Sequence, residues 1–212
     1  MELQKIELYP ELANTVRKAL KLPISEERKA VLQLLIRYIK VKRYLGEPFH
    51  LNFICTHNSR RSQFSQIWAK VASELAGIPA NCVSGGTEVT AFNPRAVDAL
   101  SRQGFKISSK ENGSNPFYSI TYSDQRDAIE AFSKTFSEAV SPDNSFAAVM
   151  TCAHADENCP YIPHAEERIP VRYEDPKAFD DTPSESEKYE ERSLQIASEM
   201  LFVFSNIKIK SK

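Results

Sequence analysis

The chain has 212 residues, of which 42% are hydrophobic and 26% charged, a length that suits one domain with a sizeable core. With 27 Lys plus Arg against 28 Asp plus Glu the net charge is −1, which excludes a chain-wide pull toward nucleic acid or an anionic membrane, and MELQKIELYPEL carries no basic-then-apolar leader, so a cytoplasmic protein is expected. Its 4 cysteines are too few for a disulfide scaffold in a reducing compartment, which points any purposeful cysteine toward catalysis, redox chemistry or a metal.

In chain order, residues 11–21 and 26–45 read as two helices. The second carries Val31, Leu32, Leu35, Ile36 and Ile39 on one stripe, with Gly46 and Pro48 as its stop. The period then changes. His50 to Cys55 reads as a buried strand, and Gln63 to Ala76 places Phe64, Ile67, Trp68, Val71, Ala72 and Leu75 at helical spacing. A short strand from Asn81 to Ser84 passes through Gly85 and Gly86 to a helix capped by Asn93, opened by Pro94 and closed at Gly104.

Residues 107–123 look polar and irregular around the aromatic patch PFYSITY, and a helix is expected through Ile129, Phe132 and Phe136. A third strand from Phe146 to Cys152 follows, then a Pro-rich loop and a fourth short strand near Ile169 to Tyr173. A closing helix runs to about Asn206, begun by a capping box from Ser184 to Glu187. Strands alternating with helices imply an α/β fold whose parallel sheet, four-stranded here, gathers loops at its carboxyl edge.

The strongest local signal is Cys55-Thr56-His57-Asn58-Ser59-Arg60-Arg61-Ser62, which leaves a buried strand and enters a helix. A loop so placed aims several backbone N–H groups and a positive helix end at one point, an anion cradle. Cys55 stands at its rim, where the helix and Arg61 favour the thiolate. Arg61 can give two parallel hydrogen bonds to a tetrahedral oxyanion, and the Ser59 and Ser62 hydroxyls can donate to sulfur or oxyanion. A leaving group needs an acid, and Asp175, before Pro176 in a later loop, is a carboxylate of the right type.

The second signal is Cys152-Ala-His-Ala-Asp-Glu-Asn-Cys159-Pro160 at the end of the third strand, on the same sheet edge as Cys55. A regular helix would hold Cys152 and Cys159 about 10 Å apart at 1.5 Å per residue, beyond disulfide reach, so a bond between them requires the loop to unwind. Two further readings stay open: one core and one surface cysteine, or a zinc site from Cys152, His154, Cys159 and His164. A zinc-stabilised or oxyanion-binding module without turnover is the corresponding non-enzymatic alternative. Cys82, mid-strand, reads as packing.

These residues resemble the low-molecular-weight protein tyrosine phosphatase superfamily, and within it the thioredoxin-coupled arsenate reductases. The resemblance lies in CTHNSRRSQ, SGGTEVTAFNPRAVDAL, CAHADENCPYIP and YEDP, covering most of residues 50–207 apart from an insertion around 111–145. It implies a catalytic domain over residues 49–212, a helical extension over 1–48 whose plainest role is added core, and no bound cofactor or metal. By the resemblance Cys55 is the nucleophile and Arg61 the clamp. Thr56, His57, Asn58, Ser59, Arg60, Arg61 and Ser62 make the oxyanion loop, Asp175 is the general acid, and Cys152 and Cys159 are the second and third thiols.

The activity so implied is arsenate reduction through a thiol-arsenate adduct and a three-cysteine relay, with thioredoxin as reductant and partner. The same residues without the relay imply a phosphatase acting on a phosphotyrosine or another phosphate ester through a cysteinyl-phosphate. Three positions depart from the family's usual residues. His57 stands where Gly is usual, so a positive φ is expected there. Arg60 replaces a common second Cys, and Gln66, with Ser84, stands at a position that helps bind potassium in some reductases.

Overall fold

The computed structural model describes residues 6–109, 113–158 and 161–207. Helix α1 (Pro10–Ala19) leads to α2 (Glu26–Leu45), which starts where the Ser25 hydroxyl accepts from the Arg28 N–H at 3.2 Å and ends at Gly46 in the left-handed conformation, φ 72°. Then follow β1 (His50–Cys55), α3 (Arg61–Leu75), β2 (Asn81–Gly86) and α4 (Pro94–Arg102), the last capped by Asn93, whose side-chain oxygen accepts from the Arg95 N–H at 2.9 Å. Strands β3 (Lys106–Ser109), β4 (Tyr118–Thr121) and β5 (Ile129–Ala131) precede β6 (Phe146–Met150), α5 (Ala153–Asn158), β7 (Ala165–Pro170), a 3-10 turn (Pro176–Phe179) and α6 (Glu185–Ser205).

Four parallel strands form the main sheet in the order β2-β1-β6-β7, as the alternation of strands and helices predicts. The strand period of two sorts its side chains. Leu51, Phe53, Ala147 and Val149 join the large core built with α3 and α6, whereas Ile54, Ala148 and Met150 join a smaller cluster with Val140, Cys152, Ala155 and Ile162. One face is thus covered by long helices and the other by a loop and the one-and-a-half-turn α5. In the large core Trp68 is fully buried, its indole N–H donates to the Ser193 hydroxyl at 2.9 Å, and its ring meets Phe105 edge-on.

The N-terminal helices pack on this body. Helix α1 lies against α6, and α2 spans α6 and the edge strand β7, where Tyr38 and Lys42 bind Glu166 and Arg37 binds Glu167. Arg28 on α2 forms a forked pair with Glu199 on α6, at 2.9 and 2.7 Å. Among the described residues no helix is long and apolar enough to cross a membrane.

Several sequence expectations need correction. The segment expected to be irregular, together with the helix expected through Ile129, Phe132 and Phe136, forms an antiparallel sheet β3-β4-β5. The spacing of those three apolar residues mimics a helical stripe, but Ile129 and Ala131 point inward by strand alternation. The chain then runs along β2, with Gly86 N–H donating to Lys134 O at 2.8 Å and Phe136 N–H donating to Gly86 O at 2.9 Å. Backbone pairing across the sheet wins over a weak local period.

The fourth strand starts earlier than expected, at Ala165, because its outward Glu166 and Glu167 serve α2 rather than marking a loop. The Ser184 capping box does not form. Glu185 takes the Asp181 N–H at 2.7 Å instead, and Ser184 makes no side-chain cap.

Candidate active site

The loop after β1 is fixed from below by β2. Cys55 is in register with Gly86, and a Cβ on Gly86 would stand 2.5 Å from Glu88 O, 2.7 Å from Thr56 O and 2.8 Å from Asn58 N, so only glycine lets the two segments approach. Glu88 N–H donates to Thr56 O at 2.8 Å and Thr87 N–H to Cys55 O at 3.1 Å. The Cys55 sulfur sits inside the turn, 3.1 Å from the Asn58 N–H and 3.0 Å from Ser62 Oγ. Asn58 Nδ2 donates to that Ser62 oxygen at 2.9 Å, which fixes the hydroxyl beside the sulfur. One backbone N–H and one hydroxyl therefore flank the Cys55 sulfur.

Asn58 is the strained residue of the loop, at φ 46°. The left-handed position expected at His57 lies one residue later, where an Asn tolerates it. Its side chain also donates to Ser84 Oγ at 2.9 Å, and Ser84 donates to Gln66 Oε1 at 2.6 Å. Gln63 Nε2 and the Lys134 N–H donate to the Asn58 side-chain oxygen Oδ1, each at 3.1 Å. The His57 carbonyl accepts from the hydroxyls of Ser133 (2.9 Å) and Thr90 (3.2 Å), while its imidazole lies 3.3 Å from Glu88 at the surface. Ser59 is tied to the loop after β2 through Ala91 O at 2.7 Å.

The inserted segment thus buttresses the back of the loop through Ser133 and Lys134, a support with no sequence signal. Burial beside the Phe132 ring pulls the Lys134 ammonium down to about 8, against Glu138 and Glu130, which raise it.

Asp175 lies at the loop's mouth. Arg60 Nε donates to its Oδ1 at 2.9 Å and Arg61 Nη2 to its Oδ2 at 2.7 Å, while Arg61 Nη1 donates to Tyr173 O at 3.0 Å. Lys177 N–H, in the 3-10 turn, donates to the same carboxylate at 3.1 Å. Burial alone would raise the Asp175 carboxyl, but the charges of Arg61 and Arg60 and the Lys177 N–H outweigh it and hold it below the ordinary carboxylate range.

Cys152 follows β6, is 1% exposed, and reaches the loop through Thr56, whose hydroxyl lies 3.6 Å from its sulfur and 3.3 Å from His154 Nδ1. Helix α5 behind it is held by Asp156, paired with Arg168 and Arg172. Cys159, the expected third thiol and a member of the zinc alternative, lies outside the described residues. Among the described residues no group of three or more His, Cys, Asp or Glu is placed to hold a metal ion. Burial pushes the Cys82 thiol up to about 12, in keeping with packing. Tyr118 and Tyr122 of the insertion also pack, Tyr118 edge-on against Phe92 and Tyr122 almost fully buried.

The expected loop residues Cys55 to Ser62 and Asp175 are therefore together, with Cys152 adjoining. Sequence reasoning missed Gln63, Ser133, the hydrogen-bond network that joins Ser84 and Gln66 to Asn58, the link from His154 to Thr56, and the joint grip of two arginines on Asp175.

No family model matches the chain. It is 32% identical over 124 residues to arsenate reductase 1 of Staphylococcus saprophyticus, which spans 58% of this chain and 76% of that protein. It is 29% identical over 124 residues to an arsenate reductase of Bacillus cereus, spanning 58% and 74%. A low molecular weight phosphotyrosine phosphatase structure from Vibrio cholerae O395 superposes with a TM-score of 0.48 at 14% identity, over 74% of this chain and 94% of that one. The chain belongs to the same family as these arsenate reductases.

Proposed function

We propose that the chain is an arsenate reductase that works through the Cys55 thiolate, a thiol-arsenate adduct and a relay of Cys55, Cys152 and Cys159, regenerated by thioredoxin. The observation that carries this reading is the place of Cys152, a buried thiol joined through Thr56 to the loop that holds the nucleophile. A phosphatase alone has no use for it.

Arsenate enters the cradle of loop N–H groups and takes the Arg61 guanidinium from Asp175. The Cys55 sulfur attacks arsenic, a sulfur–arsenic bond forms, and one arsenic–oxygen bond breaks, its oxygen leaving as water with a proton from Asp175. Arsenic stays pentavalent in this step. Cys152 then attacks Cys55: the sulfur–sulfur bond forms, the sulfur–arsenic bond breaks, and its electron pair stays on arsenic, which departs as trivalent arsenite. The two sulfurs supply the two electrons. Cys159 displaces Cys55 from Cys152, and the resulting disulfide is the substrate for thioredoxin.

The second reading is a phosphatase of the same fold, favoured by the presence of Asp175 at the mouth of the loop. With a phosphate ester Cys55 forms a cysteinyl-phosphate, Asp175 protonates the leaving oxygen, and Asp175 then activates the hydrolytic water. The test couples the protein to thioredoxin, its reductase and NADPH. Arsenate-dependent NADPH oxidation is expected, and its loss in Cys55→Ser, Cys152→Ser and Cys159→Ser. No oxidation together with brisk aryl phosphate hydrolysis overturns the reductase reading in favour of the phosphatase.

A further inference from the structure

We propose that His154 is the general base that readies Cys152 for its attack, taking the thiol proton through the Thr56 hydroxyl. The inference rests on the reductase reading, since only a redox relay needs Cys152 as a thiolate. Cys152 is 1% exposed, so bulk water does not reach its sulfur. Among the described residues the sulfur has two polar neighbours, the Ala155 N–H at 3.4 Å and Thr56 Oγ1 at 3.6 Å. An N–H stabilises a thiolate but accepts nothing. A hydroxyl accepts one proton and gives another.

On its far side Thr56 Oγ1 is 3.3 Å from His154 Nδ1, and His154 is exposed. A buried thiol is thereby connected to an imidazole in contact with solvent. The sequence alone hides the link, because Cys152 precedes α5 and His154 lies in its first turn. The bridge comes from the loop after β1.

Among the described residues, the carboxylates of the surrounding elements are engaged. Asp156 is held by Arg168 and Arg172, Glu157 by Arg172, Glu88 faces His57, and Asp175 is held by Arg60 and Arg61. The His154 imidazole is, among the described residues, the base bridged to the Cys152 sulfur. Both distances are long for a relay at rest, as catalytic hydrogen bonds often are before the reacting complex forms.

The step balances. The Cys152 S–H gives its proton to Thr56 Oγ1, the Thr56 proton passes to His154 Nδ1, and an imidazolium forms. The Cys152 thiolate attacks the Cys55 sulfur of the adduct, the sulfur–arsenic pair stays on arsenic, and the proton leaves from the imidazolium to arsenite oxygen or water.

The test uses the full chain carrying Cys159→Ser, so that the reaction stops at the Cys55–Cys152 disulfide. The reduced protein is mixed with arsenate without reductant, acid-quenched, and its disulfide followed by mass spectrometry from pH 6 to 9. His154→Gln is expected to slow disulfide formation at pH 7 by about 10²-fold, the scale of a lost general base. The deficit should shrink as pH rises, and added imidazole should restore part of the rate. Thr56→Ser should keep the parent pH profile and Thr56→Val should take on that of His154→Gln. If the parent forms the disulfide and His154→Gln matches its rate and pH profile, the relay is overturned and the reductase reading stands. If the parent forms no disulfide with arsenate, both fall.

Discussion

Arg60 gives the sharpest test of how the acid is governed. Arg60→Met keeps most of the apolar stem and removes the charge whose Nε lies 2.9 Å from Asp175, in a pair whose side chains are 10% and 26% exposed. Two unit charges about 4 Å apart attract by about 4 kcal/mol at an effective dielectric near 20, and an arginine beside an aspartate lowers its pKa by about 1 to 3 units. Arg61 remains at 2.7 Å, so the variant loses part of what holds the Asp175 carboxyl down, and that carboxyl rises toward the ordinary carboxylate range.

The sign is fixed by the direction of the shift. A carboxylate held below its unfolded value stabilises the fold above that value, and the contribution is lost as pH falls through the folded one. Arg60→Met is therefore expected to cost about 1 kcal/mol at pH 7, the scale of a partly exposed ion pair, and to approach the parent as pH falls through the folded pKa of Asp175. Urea denaturation across pH reads this. Because Asp175 must be protonated to act as the acid of the proposed reaction, the basic limb of kcat/KM should move up. A stability deficit that is the same at every pH, or a basic limb that moves down, refutes the reasoning.

Gly86→Ala forces a methyl to within 2.5 to 2.8 Å of three backbone atoms; the loop must shift, and kcat/KM is expected to fall by about 10²-fold, the usual result of a misplacement near 1 Å, with little change in circular dichroism. Arg28→Met leaves Glu199, whose side chain is 3% exposed, without its forked partner. A loss of about 3 kcal/mol in urea stability is expected, and a loss under about 0.5 kcal/mol, as for an exposed pair, would show that α2 is not anchored by this pair. Asp175→Asn removes the carboxylate that competes for Arg61. Phosphate titrated at pH 7 should bind more tightly while turnover falls by about 10²-fold or more; weaker binding contradicts the competition.

What the sequence reveals depends on whether the deciding contact is local. The strand His50–Cys55, its loop and the following helix are legible because the period and the anion cradle all lie within about twenty-five consecutive residues, and Asn93-Pro94 writes its own helix start. Strands β3 to β5 are not legible. They are three or four residues long and gain their hydrogen bonds from each other, so Ile129, Phe132 and Phe136 leave only a misleading spacing. Arg60 looks in sequence like one more positive charge in the loop; its partner Asp175 lies 115 residues on. Ser84 and Gln66 belong to a buried network with Asn58 that no short motif encodes, and the strain expected at His57 falls on Asn58 because the turn places its N–H on sulfur there.

The site at rest holds an anion of its own. The Asp175 carboxylate occupies Arg61, the group proposed to clamp the oxyanion, and two arginines keep it ionised, the wrong state for an acid. Both difficulties have one resolution on the proposed reading. An entering oxyanion takes Arg61, leaving Asp175 with Arg60 and with a new negative charge nearby, and both changes raise the carboxyl toward protonation. Substrate binding itself then makes the acid, while Arg60 and the Lys177 N–H keep it in place. A site built in this way takes up a proton when its anion binds. Calorimetric titration of phosphate in buffers of different ionisation enthalpy reads that uptake directly, and it should disappear in Asp175→Asn.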